Sequence, residues 1–132
     1  MTQRFTFAVK ATLTATLIAL SGTANAFSFD SCKDVTIVVR NHTGEEVRIY
    51  DLDYHDYGVG KWRSEPLNNF NLRNGKSKFI KRSLGAVNQA RTQIRIQYKK
   101  LDSDGEYRIK AADWSSSAVC SKGKTFEVKL EN

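Results

Sequence analysis

Proline and methionine occur once each in the 132 residues, and cysteine and histidine only twice each. No Pro-, Gly- or Ser-rich stretch, low-complexity tract or internal repeat divides the chain, so a single compact domain is expected. Long apolar runs are also missing. A spanning helix needs about 20 consecutive apolar residues, and the run after Lys10, residues 11–20, is too short. No Gly-x-Ser-x-Gly nucleophile elbow occurs. The GVGK stretch at 58–61 has His55 where a phosphate loop needs its first glycine and Trp62 where it needs Ser or Thr. Arg63 stands where a dinucleotide fingerprint needs its third glycine. No cofactor is therefore expected.

The N-terminus carries Arg4 and Lys10, then the short apolar run, then Ala24, Asn25 and Ala26 as a small-x-small cleavage site. This is the pattern of a secretory signal peptide removed after Ala26. The expected mature domain is residues 27–132, in a secreted or periplasmic setting. An even pair of cysteines in an oxidising compartment reads as a disulfide between Cys32 and Cys120. Cys32 precedes the first strand-like run and Cys120 the last, so the bond would hold neighbouring terminal strands.

Period-two alternation dominates the chain beyond Cys32. VTIVVR (35–40) places Val35, Ile37 and Val39 on one face, and VRIYDL (47–52) places Val47 and Ile49 on one face. The turn-rich Asn41, His42, Thr43, Gly44 between them predicts a hairpin; as Asn-x-Thr it also fits a glycosylation sequon. LNNFNLR (67–73), Asn74-Gly75 and KSKFIKR (76–82) predict a second hairpin. TQIRIQYKKL (92–101), EYRIKAADW (106–114) and KTFEVKL (124–130) complete seven strands. SLGAVNQAR (83–91) predicts one helical turn capped by Ser83. The expected fold is all-β: a small antiparallel β-sandwich, with a small β-barrel as the alternative.

Charge is uneven. Residues 27–57 hold three bases and seven acids, whereas residues 58–100 hold eleven bases and one acid, Glu65. Unless the fold interleaves these segments, the surface is polarised and suits anionic partners. Lys76, Lys78 and Arg82 share one face of their strand, and Arg95 and Lys99 the polar face of theirs. Adjoining strands would bring all five into one basic face. The alternative is a solvated sheet face with a lysine-guarded edge.

DLDYHDYGVGKW (51–62) concentrates acids and aromatics. As an exposed loop it offers Tyr54, Tyr57 and Trp62 as a contact platform, made adaptable by Gly58 and Gly60. Alternatively, Trp62 and a tyrosine plug the end of the sandwich. Asp51 and Asp53 match the first ligands of a calcium loop, but Asp56 replaces its glycine and Trp62 its closing glutamate. This leaves an irregular calcium site at Asp51, Asp53 and Asp56. Zinc would need His55 with His42 or an aspartate.

These features predict a non-enzymatic secreted or periplasmic binding protein, toxin-like in its mix of cations and aromatics. It would engage an anionic lipid, glycan or protein surface through the basic face and the aromatic loop. One alternative is an inhibitor or immunity protein using the acidic residues. Another is a small hydrolase using His55 with Asp56 or Glu65. Nucleic acid is not expected, because KGKTFEV completes no RNA-binding signature.

Overall fold

The computed structural model describes residues 32–132. The expected leader and its cleavage site lie outside the described residues. Among the described residues the architecture is all-β with open sheets, and no closed barrel forms. The strands are β1 (Val35–Asn41), β2 (Val47–Asp56), β3 (Lys61–Glu65), β4 (Phe70–Leu72), β5 (Ser77–Arg82), β6 (Arg91–Thr92), β7 (Ile94–Leu101), β8 (Tyr107–Trp114), β9 (Ala118–Val119) and β10 (Thr125–Leu130). A three-stranded sheet runs β10-β1-β5, and a larger sheet runs β3-β2-β7-β8 with β4 also on β2. The short β6 and β9 pair as a ribbon. Among the described residues no helix is long and apolar enough to cross a membrane.

The core follows from alternation. Val35, Ile37 and Val39 of β1 are fully buried, as are Val128 and Leu130 of β10. They face Val47, Ile49 and Leu52 of β2 and Ile94, Ile96 and Tyr98 of β7 in a single cluster. Burying each such side chain stabilises by about 1.5–3 kcal/mol relative to exposure. Tyr98 is accommodated because its hydroxyl donates to the Asp113 carboxylate at 2.8 Å. Burial and that carboxylate together push the Tyr98 phenol well above its ordinary range.

The terminal strands are neighbours, as the cysteines predict: β1 and β10 pair in parallel, from Thr36 opposite Thr125 to Asn41 opposite Leu130. Cys32 and Cys120 form the disulfide, with both residues buried. Backbone bonds sew this end together, including Leu84 N–H to Cys32 O and Cys120 N–H to Ala90 O. The turn over Gly85–Val87 is 3-10 and lacks a side-chain cap; Leu84, not Ser83, precedes it. Leu84 and Val87 are buried against the disulfide end.

Two expected hairpins are instead crossings between sheets. β1 and β2 lie in different sheets, and so do β4 and β5. Asn-Gly turns the chain, and Gly75 takes the positive φ of +76° that the turn requires. Nothing in that local signal says whether the returning strand finds its neighbour or the opposite layer. Asn41 ties the two crossings together. Its Nδ2 donates to the carbonyls of Glu45 and Leu72, each at 2.7 Å, and its backbone bonds to Gly75 and Lys76. The amide of the Asn-x-Thr sequon is therefore buried and fully hydrogen-bonded in the fold.

The stretch 51–62 is also corrected. It is not a loop: β2 continues to Asp56, turns over residues 57–60 and returns as β3. An irregularity in the β2–β7 register between Ile49 and Asp51 resets the alternation. Without it, Asp51 and Asp53 would follow Val47 and Ile49 inward. With it, Leu52 and Tyr54 enter the core, and Asp51, Asp53 and His55 face out.

Candidate functional site

The outer face of the larger sheet gathers the richest set of side chains. Its rows follow from the register. Trp62 stands opposite His55, and Ser64 opposite Asp53, which faces Arg95, which faces Trp114. Two pairs further along, Arg48 faces Lys99, which faces Lys110. One end is therefore aromatic and the other cationic.

Arg95 organises the aromatic end. Its Nε donates to Asp53 Oδ2 at 2.8 Å, and its guanidinium lies 4.4 Å over the Trp62 ring. Asp53 is buried, with a side chain only 5% exposed, and also accepts from Gln97 Nε2 at 2.8 Å. The same amide reaches Asp51 Oδ2 at 3.0 Å, and Ser64 Oγ donates to Asp51 Oδ1 at 3.1 Å. The carboxylates are thus internal struts that hold Arg95 and Gln97 flat against the sheet. Trp62 also packs edge-on to His55, at 4.9 Å, while His55 packs edge-on to Tyr57 at 4.2 Å. His55 Nδ1 is buried and has no hydrogen-bond partner among the described residues. Across the sheet Trp114 is 48% exposed.

At the cationic end, Arg48 lies 4.5 Å over the Tyr107 ring and donates to Asn71 at 3.1 Å. The Tyr107 hydroxyl donates to Glu46, and that bond with partial burial raises the phenol's pKa. Lys99 lies 5.4 Å over Tyr50, whose hydroxyl is 3.3 Å from Gln97 Oε1. Burial, reinforced by Asp51, raises the Tyr50 pKa. Lys110 is exposed beside Lys99.

The expected basic face is divided. Arg95 and Lys99 lie on this outer face, whereas Lys76, Lys78 and Arg82 belong to β5 and its approach, in the other sheet. The fold interleaves acidic and basic segments, as Asp53 opposite Arg95 illustrates. The expected aromatic trio also separates. Tyr54 is buried in the core; Tyr57 is exposed in the turn, and Trp62 is half-buried on the sheet. A tyrosine does plug the sandwich, but Trp62 does not.

Asp56 faces away from Asp51 and Asp53. Its carboxylate accepts from Arg63 Nε at 2.8 Å and from Gly58 N–H at 3.1 Å, bonds that hold its pKa below the ordinary carboxylate range. The calcium trio is therefore not assembled, and no group of three potential metal-ligating side chains converges among the described residues. His55 and Asp56, adjacent on a strand, point to opposite faces and do not form an acid–base pair. Trp114, Arg48, Lys110 and Gln97 are the site residues that sequence reasoning left out. Their signal is the polar side of 47–52, of 92–101 and of 106–114, which alternation assigns as readily as the core side. No family model, curated protein or solved structure matches the chain.

Proposed function

We propose that this is a non-enzymatic binding protein whose larger sheet engages an acidic glycan of the cell envelope on its outer face. The observation that carries the reading is the fixed Arg95, stacked on Trp62, anchored by buried Asp53 and lying directly across from exposed Trp114. A sugar ring presents apolar C–H faces and a rim of hydroxyls. The exposed face of Trp114 accepts the former, and Gln97 Oε1, Ser64 Oγ and the terminal nitrogens of Arg95 offer polar atoms to the latter. Arg48, Lys99 and Lys110 then supply attraction and on-rate for carboxylate, sulfate or phosphate substituents. The fixed partners hold these groups in place before a ligand arrives, which limits the ordering cost of binding. The buried disulfide fits an oxidising compartment and supports secreted or periplasmic residence.

The test is tryptophan fluorescence titration and salt-gradient retention on heparin, an acidic polysaccharide. Trp114→Ala should weaken binding about tenfold. Lys99→Glu with Lys110→Glu should weaken it as much and flatten its salt dependence. Vesicles of phosphatidylglycerol provide the second arm. Binding to vesicles alone, unaffected by Trp114→Ala, overturns the glycan assignment.

A further inference from the structure

A second, independent surface lies on the other sheet. β5 ends the order β10-β1-β5, so among the described residues one of its edges carries no strand. The pairing phase tells which groups it offers. Asn41 N–H bonds Lys76 O, which sets the phase, so the mutually bonded pairs that follow fall at 39 with 78 and 37 with 80. Ser77, Phe79 and Lys81 therefore direct their N–H and C=O groups outward. The Lys81 carbonyl is already taken by Arg82 Nη1 at 2.7 Å, and Arg82 Nη2 closes that end on Pro66 O at 2.9 Å.

Beside this edge runs a groove of ≈ 370 Å³ between β5 and residues 67–70. Leu67, Phe70 and Ile80 give it an apolar floor; Lys78, Lys81 and Arg82 line it, and none of its lining residues is acidic. Lys78 is held 5.6 Å over the Phe70 ring. Phe79, on the outer side, is 65% exposed, the largest value among the exposed large hydrophobics of the described residues.

We propose that β5 is a docking strand for an extended acidic peptide from a protein partner, which adds to the sheet as a further strand. Charge complementarity selects the occupant. A second copy pairing β5 with β5 would bring Lys76, Lys78, Lys81 and Arg82 of both strands onto one seam with no acid between them, and crowded like charges are unfavourable. Cross-strand pairing also specifies the peptide: acids opposite Lys78 and Lys81, apolar residues opposite Phe79 and Ile80. The resulting motif, acid-apolar-apolar-acid, reads the same in either strand direction. Main-chain bonds to Ser77 and Phe79 supply affinity, and the alternating side chains supply specificity.

The probe is a fluorescein-labelled peptide with a Glu-Val-Val-Glu centre flanked by serines, titrated by anisotropy. Lys78→Glu with Lys81→Glu should weaken binding at least about tenfold, and the doubly reversed protein should instead prefer a Lys-Val-Val-Lys peptide. Phe79→Pro removes an outward N–H while sparing the bonds to β1, so it should abolish binding with the fold intact by circular dichroism. Phe79→Ala separates the side chain from the backbone, and hydrogen exchange should show the Phe79 and Lys81 amides protected in the complex. Peptide binding that survives Phe79→Pro, or that leaves these amides unprotected, overturns strand addition. Phe79-dependent binding to phosphatidylglycerol vesicles with no peptide binding assigns the edge to a membrane surface and also overturns it.

Discussion

Replacing Arg95 with alanine tests the site's internal logic through three losses. Asp53, with a side chain 5% exposed, loses its guanidinium partner and keeps Gln97. Leaving a buried acceptor under-satisfied costs about 1–3 kcal/mol. The stacking on Trp62 at 4.4 Å is worth about 0.5–1 kcal/mol at a site open to water on one side. The aliphatic stem, whose parent side chain is 25% exposed, adds a smaller packing loss. The total is about 2–4 kcal/mol. With a urea m-value of about 2 kcal/mol/M for a domain this size, the midpoint should fall by about 1–2 M. Asp53→Asn in the Arg95→Ala background should recover part of the loss, because it removes the unpaired charge. The assay is urea unfolding followed by tryptophan fluorescence and by far-UV circular dichroism, with all four corners of the cycle measured. A cost below about 0.5 kcal/mol, or no coupling between the two positions, would refute the idea that buried Asp53 anchors Arg95.

The remaining predictions concern the frame and its pH response. Cys32→Ser with Cys120→Ser opens a link between residues 88 apart and should cost about 4–5 kcal/mol in the chain-entropy account, read as a lowered urea midpoint. Asn41→Ala strands two carbonyls at the crossings and should cost about 2–4 kcal/mol by the same assay. The Asp56 pKa is lowered by Arg63, so its contribution is present above the unfolded value near 3.8 and is lost as pH falls through the folded value. Glu65 shifts the other way: burial raises its pKa, so its contribution is present below about 4.5 and is lost as pH rises through the folded value. Asp56→Asn should therefore flatten the acid limb of a stability profile between about pH 2 and 5, and Glu65→Gln should raise stability near neutrality relative to the native protein.

Strand positions were legible wherever apolar residues alternate. Val35, Ile37 and Val39, Ile94, Ile96 and Tyr98, and Phe126, Val128 and Leu130 all face inward as their spacing predicts. The disulfide and the adjacency of the terminal strands were legible from the cysteine positions. Strand partners were not. Asn74-Gly75 and the 41–44 turn reverse the chain equally well within a sheet or between layers, and only burial of Asn41 at their junction reveals the latter. β3 has no sequence signal, because KWRSE lacks apolar alternation; it forms as the returning arm of a hairpin whose first arm is well specified. The irregularity after Ile49 carries no local signature, yet it decides which of Tyr50, Asp51, Tyr54 and His55 reach solvent. Half of the candidate face was thus readable as the polar side of two strands, and the rest depends on register.

The most direct test of the glycan-binding face is a nitrogen-15 NMR titration of the native protein with a size-defined heparin oligosaccharide. The largest shifts should fall at the Trp62 and Trp114 indole N–H groups and at the Arg48, Arg95, Lys99 and Lys110 amides, with residues 76–82 little changed. Shifts confined to residues 76–82, or none at saturating oligosaccharide, would contradict that reading.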